Sequence, residues 1–202
     1  MTLTFDDIKS LVLEATSRTL ACLGASYPKC GDLNGDNIRA LAHRVKDGNP
    51  KAIEKAASLL YKYVSPHSVL IPIPSHTCVS TYTKELANII AQKSNSIVLD
   101  VLRCGPRDML YNRKMKGANV NNINLGIYCV GDVNGLIAKQ LHKAKNIILI
   151  DNVVDSGITY NQAHNALAKE YKVDAWMLAL GVVEKSDHDV NDERVFRSII
   201  TL

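Results

Sequence analysis

Short apolar runs alternate with helical apolar stripes along most of this chain. Val69, Leu70, Ile71, Pro72, Ile73 and Pro74 make one run, and Ile97, Val98, Leu99, Asp100, Val101 and Leu102 make a second. Ile147, Ile148, Leu149 and Ile150 make a third, residues 175–183 a fourth, and residues 127–130 and 195–202 add weaker ones. Runs of this length, bounded by polar or turn-forming residues, suit strands buried on both faces. Between them, residues 77–94, 134–143 and 159–170 carry apolar side chains at helical spacing, as Leu136, Ile137 and Leu141 do on one face. Alternation of strand and helix predicts an α/β fold: a mainly parallel, twisted sheet flanked by helices. Ligands of such sheets sit outside the carboxyl ends of the strands.

The first third has a different pattern. Ile8, Leu11, Val12, Ala15, Leu20 and Leu23 lie near helical period, behind Thr4 as a cap and Asp7 at the third helical position. Residues 24–35 read as a turn-rich connection. Asp36 or Asn37 then opens a second helix through Ile38, Leu41, Ala42 and Val45, closed by Gly48, Asn49 and Pro50. Pro50 suits the first position of a third helix carrying Ile53, Ala56, Ala57, Leu60 and Val64. The composition changes after Pro66, which divides the chain into a helical N-terminal subdomain, residues 1–66, and an α/β core, residues 67–202. Asp32, Asn34 and Asp36 have the opening spacing of a calcium loop, but Asn37 replaces its glycine and His43 its closing glutamate, so a turn with helix caps is expected.

Composition narrows the picture. A chain of 202 residues with 47% apolar content can bury one sizeable core, and with 5% aromatics that core must be aliphatic. The mild net charge of +4 fits an anionic small molecule as well as weak nucleic-acid affinity, and most of it suits an ordinary solvated surface; nucleic acid is not an expected partner. Five scattered cysteines, Cys22, Cys30, Cys78, Cys104 and Cys129, form neither a paired framework nor a zinc spacing. They fit buried thiols in a reducing compartment. No basic leader and no membrane-length apolar run is visible, so the expected location is cytoplasmic, without a membrane partner.

The most chemically specific stretch follows the third run. Asp151 and Asn152 stand at its carboxyl end, where side chains can hold the hydroxyls of a sugar. Asp155, Ser156, Gly157, Ile158 and Thr159 then lead into a helical pattern. A helix start offers free N–H groups and the positive end of the dipole to a phosphate. Gly157 permits close backbone approach, and Ser156 and Thr159 add hydroxyl donors. The expected ligand is a sugar phosphate.

This stretch resembles the phosphoribosyl-diphosphate (PRPP) motif of type I phosphoribosyltransferases: four apolar residues, two acids, two apolar residues and a Thr/Ser/Gly loop. Asn152 departs from it, standing where a second acid is usual. The resemblance implies the type I fold, with residues 1–66 as a hood over the site. It also implies PRPP as donor, Mg²⁺ as cofactor with Asp151 contributing through water, and a C₂ homodimer as the default assembly. Pro74, Ser75 and His76 look like the diphosphate loop of the ComF-like branch. Arg103, Arg107, Arg113, Lys114 and Lys116 fall where family members carry a flexible loop that closes over PRPP. Asp155 is similar to the acid/base of the 6-oxopurine enzymes, whose run Glu-Asp-Ile-Ile-Asp-Thr-Gly parallels residues 151–157. Their purine-contacting lysine, however, aligns with Ala179, and Trp176 reads as core rather than as a stacking aromatic. The prolines have a plainer, secondary reading as the end of a strand, while Asp155 equally caps a loop, His76 equally lies on the surface and the five cations equally form a solvated loop. The expected function is transfer of 5-phosphoribosyl to a nucleobase or another nitrogen acceptor with release of diphosphate. The alternative is a non-catalytic PRPP- or nucleotide-binding regulator of the same fold.

Overall fold

A computed structural model of the protein describes residues 20–27, 33–106, 108, 123–183 and 195–199, with side chains described for 37–106, 108 and 123–183. The elements in chain order are β1 (Leu20–Tyr27), α1 (Leu33–Lys46), α2 (Pro50–Leu60), β2 (Val69–Pro72), α3 (Tyr82–Ser94), β3 (Ile97–Val98), β4 (Leu102–Arg103), β5 (Tyr128–Cys129), α4 (Leu136–Lys143), β6 (Ile147–Val154), α5 (Ile158–Tyr171), β7 (Trp176–Val183) and β8 (Val195–Ile199). The main sheet has six strands in the order β3-β2-β6-β7-β1-β8, and every neighbouring pair is parallel. The α/β class and the parallel sheet flanked by helices are therefore present.

The apolar runs became strands where both faces could be covered. All eight residues of β7 are buried, and Ile147 through Asn152 are buried in β6. On one face, α1, α2 and α3 place Leu41, Val45, Ile53, Ala56 and Ile90 against Leu70, Ile148 and Leu178 of the sheet. On the other, Leu141 of α4 and Tyr160, Ala163 and Leu167 of α5 cover Val69, Ile71, Leu149 and Met177. Trp176 is core, as its position in the apolar run predicts. Asn49 caps α2, accepting a hydrogen bond from the Ala52 N–H at 3.1 Å, and Pro50 opens the helix without a missing donor.

Several local expectations are corrected. Leu20 and Leu23 belong to a strand rather than to a helical stripe, and Gly24 continues that strand instead of starting a turn. Parallel ladders to β7 on one side and β8 on the other satisfy this backbone, which outweighs the i, i+3 coincidence. The turn expected at residues 32–36 is absent: α1 begins at Leu33 and runs through Asn34, Gly35 and Asp36. The run 97–102 splits, with Ile97 and Val98 joining the main sheet while Leu102 and Arg103 pair antiparallel with β5. The expected helix at residues 4–19 lies outside the described residues. Residues on both sides of position 66 share one core, and β1 extends the same sheet. Among the described residues no helix is long and apolar enough to cross a membrane.

Helix α5 is also tied to the strand that returns after the basic segment. Gln162 accepts from the Leu125 N–H at 2.7 Å and donates to the Ile123 carbonyl at 2.6 Å, and Tyr171 donates to the Val130 carbonyl at 3.0 Å. Burial pushes the Tyr171 phenol up to about 12, and the negative charges of Cys129, Asp132 and Glu170 add to the rise. An unfolded tyrosine titrates near about 10. A raised folded value means that this contribution is intact below that pH and is lost as pH climbs toward the folded value. The stability difference between the wild type and Tyr171→Phe should therefore be about 1 kcal/mol at neutral pH, from the lost hydrogen bond. In denaturant melts it should shrink as pH rises from 10 to 12; a constant difference would contradict the assignment.

Candidate functional site

Two sequence-distant segments meet at one edge of the sheet because β2 and β6 are neighbours. Val69 pairs with Ile147, Leu70 with Ile148, Ile71 with Leu149 and Pro72 with Ile150. The ladder continues one step, with the Ile73 N–H donating to the Ile150 carbonyl at 3.1 Å. From β2 the chain proceeds through α3 to β3 on one side, and from β6 through α5 to β7 on the other. The two connecting helices lie on opposite faces. The carboxyl ends of β2 and β6 thus flank a topological switch point, the crevice where open α/β sheets bind ligands.

Asp151 and Asn152 do not end the strand, which continues through Val153 and Val154. Both are buried, at 8% and 9% exposure, and Asp151 lies opposite Ala179 of β7. The Asp151 carboxylate accepts from the Asn152 N–H at 2.7 Å. The Asn152 side chain turns toward the helical layer: its Nδ2 donates to the Ala42 carbonyl of α1 at 3.3 Å, and its Oδ1 accepts from the Tyr82 hydroxyl of α3 at 3.5 Å. Asn152 thus joins the motif strand to two helices.

After Val154 the chain bends through an exposed Asp155 and a half-buried Ser156 to Gly157. Gly157 has φ of 78°, a left-handed conformation that a side chain would strain, and it is the N-cap of α5. Its carbonyl accepts from the Asn161 N–H at 2.9 Å, and, lacking a side chain, it supplies no side-chain cap of its own to the first-turn N–H groups. Ile158 is buried and Thr159 half-buried in that turn. The strand–loop–helix form expected for residues 147–159 is present.

The loop after β2 has internal order of its own. Pro74 is buried, and Ser75 and His76 are half-buried. Helix α3 begins at Tyr82 rather than at Thr77, because residues 75–79 close on themselves. The Ser75 N–H donates to Val79 at 3.0 Å, the Cys78 N–H to Ser75 at 3.2 Å, and the Ser75 hydroxyl lies 2.6 Å from that of Thr77. Thr83, buried in α3, donates to the Ile73 carbonyl at 2.7 Å and fixes the loop's departure from the sheet.

Arg103 is not directed at that crevice by a free guanidinium. It donates to the Asp100 carboxylate at 2.7 Å and to the Asp100 and Leu102 carbonyls. Asp100 also accepts from Ser80 at 2.6 Å and pairs with Lys84 at 3.0 Å. Burial alone would raise the Asp100 carboxyl, but the hydrogen bonds from Ser80, Lys84 and Arg103 and the Arg103 charge outweigh it and hold it below its ordinary value. The strand after α3 therefore ends in an ion-paired hub that ties the loop after β2 to the base of the basic segment. Arg107, Arg113, Lys114 and Lys116 lie outside the described residues.

Sequence reasoning missed Tyr82, Thr83 and the Asp100 hub. Asp100 had a signal: it follows an apolar run as Asp151 follows its own. Tyr82 and Thr83 had none, because their partners lie in other elements. No group of three or more His, Cys, Asp and Glu side chains suited to a metal occurs among the described residues. One buried carboxylate, Asp151, suits a Mg²⁺ that is carried largely by ligand oxygens and water rather than caged by protein. The chain matches no protein-family model and no curated protein.

The Asn152 geometry carries a direct test. An aspartate cannot donate to the Ala42 carbonyl, so Asn152→Asp sets a buried carboxylate against an acceptor. The expected loss is about 1–3 kcal/mol in denaturant melts near neutral pH. Unchanged stability would show that the Ala42 contact does not hold α1 to β6.

Proposed function

We propose that the protein is a phosphoribosyltransferase that uses PRPP and Mg²⁺ to transfer 5-phosphoribosyl to a nucleobase or another nitrogen acceptor, releasing diphosphate. The observation that carries this reading is the β2–β6 pairing, since the loops 74–76 and 155–159 follow these two adjacent parallel strands. A ribose 5-phosphate bearing a diphosphate needs two anion sites separated by a sugar. The edge offers a helix N-terminus with Ser156 and Thr159 on one side, a compact hydroxyl-bearing loop on the other, and the Asp151 carboxylate in β6 between them in the chain's layout.

The roles follow from the chemistry. First-turn N–H groups of α5, with the Ser156 and Thr159 hydroxyls, hold the 5′-phosphate. Asp151 accepts from ribose hydroxyls, and its negative charge favours the oxocarbenium character that builds as the anomeric bond breaks. Pro74, Ser75 and His76 border the leaving diphosphate. Asp155, exposed beside the phosphate loop, takes a proton from the nitrogen nucleophile. Bound Mg²⁺ supplies neutralisation of the leaving group. Arg103 acts at a distance, by holding Asp100 and the base of the basic segment, while Arg107, Arg113, Lys114 and Lys116 are the proposed cations over the diphosphate.

The second reading, a PRPP- or nucleotide-binding regulator with the same fold, draws on two observations. Asn152, in place of the second acid, is engaged by Ala42 and Tyr82, and Ala179 is fully buried where purine enzymes carry lysine. Both readings share the location of the ribose phosphate, and a homodimer is proposed for either.

Calorimetry with PRPP and Mg²⁺, followed by an assay of diphosphate release across a panel of nitrogen bases, separates them. The transferase reading expects binding and acceptor-dependent release. Asp151→Ala should abolish that release, and Asp155→Asn should lower kcat by about 10²–10⁴-fold. Binding without release under any acceptor supports the regulator, absence of binding overturns both, and full activity in Asp151→Ala overturns the site.

A further inference from the structure

The loop after β2 is closed by two cysteines that lie far apart in sequence. The Cys104 N–H donates to the Cys78 carbonyl at 3.3 Å, and the Cys104 Sγ donates to the Ser75 carbonyl at 3.1 Å. The Cys78 N–H donates to that same Ser75 oxygen at 3.2 Å. The Cys104 sulfur and the Cys78 backbone therefore converge on one atom, closer together than the two bonds laid end to end. The single backbone bond between the two residues keeps their Cα atoms within roughly 7 Å of each other, at the edge of a disulfide's span. Cys78 has φ of 80°, which is uncommon outside glycine, so its conformation depends on these contacts. Both thiols are free.

We propose that Cys78 and Cys104 form a peroxide-oxidisable dithiol, a reversible modification site that staples the 75–79 turn to the chain just after β4. The two sulfurs differ in access: Cys78 is half-buried, whereas Cys104 is 3% exposed. Cys78 is the sulfur that a small oxidant reaches. Its thiolate attacks one peroxide oxygen, the O–O bond breaks, and hydroxide leaves a sulfenic acid. Cys104 then attacks that sulfur; the S–S bond forms as the S–O bond breaks, and the departing hydroxide takes up the Cys104 proton as water. Two thiols and one hydrogen peroxide become one disulfide and two waters.

The modification changes the loop locally. Once oxidised, Cys104 has no S–H to donate, so the Ser75 carbonyl loses that hydrogen bond, and the turn becomes covalently tied to the strand carrying Arg103. Thiol reductants reopen such a bond by exchange, as befits a transient disulfide. Cys129 is a poor competitor: burial, with Glu170 nearby, pushes its thiol up to about 11, which keeps it protonated at neutral pH.

The test uses the full chain, treated with hydrogen peroxide at neutral pH, alkylated, digested without reductant and mapped by mass spectrometry. The expected product is a peptide pair joined through Cys78 and Cys104, two hydrogens lighter than the reduced pair and restored by dithiothreitol. Cys104→Ser should abolish the cross-link and accumulate over-oxidised Cys78. Cys78→Ser should abolish it and leave Cys104 reduced at the same oxidant dose. Cross-links that run instead to Cys22, Cys30 or Cys129, irreversible oxidation of Cys78 in the wild type, or two alkylatable thiols after treatment would each overturn the proposal.

Discussion

The parallel pairing of β2 with β6 is the constraint on which the rest of the arrangement depends. Its register, from Val69 opposite Ile147 to Pro72 opposite Ile150, decides which residues emerge together at the carboxyl edge. Side chains alternate along a strand, so a slip of β2 by one residue against β6 would send Leu70 to the α5 face and Ile71 to the face of α1 and α3. Both faces are closely covered, which makes that slip costly. The loops at 74–76 and 155–159 leave the same edge of the sheet because the aliphatic core holds β2 and β6 side by side in this register.

Around this pairing, polar contacts between elements refine the positions that hydrophobic burial only approximates. Thr83 fixes the departure of the chain from β2, Gln162 and Tyr171 hold the returning strand to α5, and Asp100 gathers Ser80, Lys84 and Arg103. Asn152 holds α1 and α3 to the motif strand from within. An amide rather than a carboxylate at position 152 thus has a local physical reason: a donor is needed toward the Ala42 carbonyl, and a carboxylate has none to give.

Much of this was legible in the sequence wherever one element satisfied itself. The run from Ile147 through Ile150, a polar pair, a glycine loop and a helical pattern predicted β6, the bend and α5 nearly in place. Pro50 likewise announced α2, whereas its Asn49 cap emerged only in the structure. Readings failed where a partner in another element decided the outcome. Leu20 and Leu23 fit a helical stripe, but ladders to β7 and β8 made them a strand; a short apolar run cannot by itself distinguish the two. The run 97–102 looked continuous until Asp100 bound three donors and the chain left the main sheet. The partner of Asn152 lies in α1, beyond any window in which periodicity can be read. The cysteines that looked scattered include a pair brought together by the turn after β2.

The proposed role of this edge is a ribose 5-phosphate cradle with a diphosphate site beside it. A crystal structure of the protein with PRPP and Mg²⁺ tests that role most directly. The expected result is the 5′-phosphate against the first turn of α5 with Ser156 and Thr159, the ribose hydroxyls at Asp151, and the diphosphate along Pro74, Ser75 and His76. PRPP bound elsewhere on the chain, or an edge that stays empty at saturating PRPP, would contradict it.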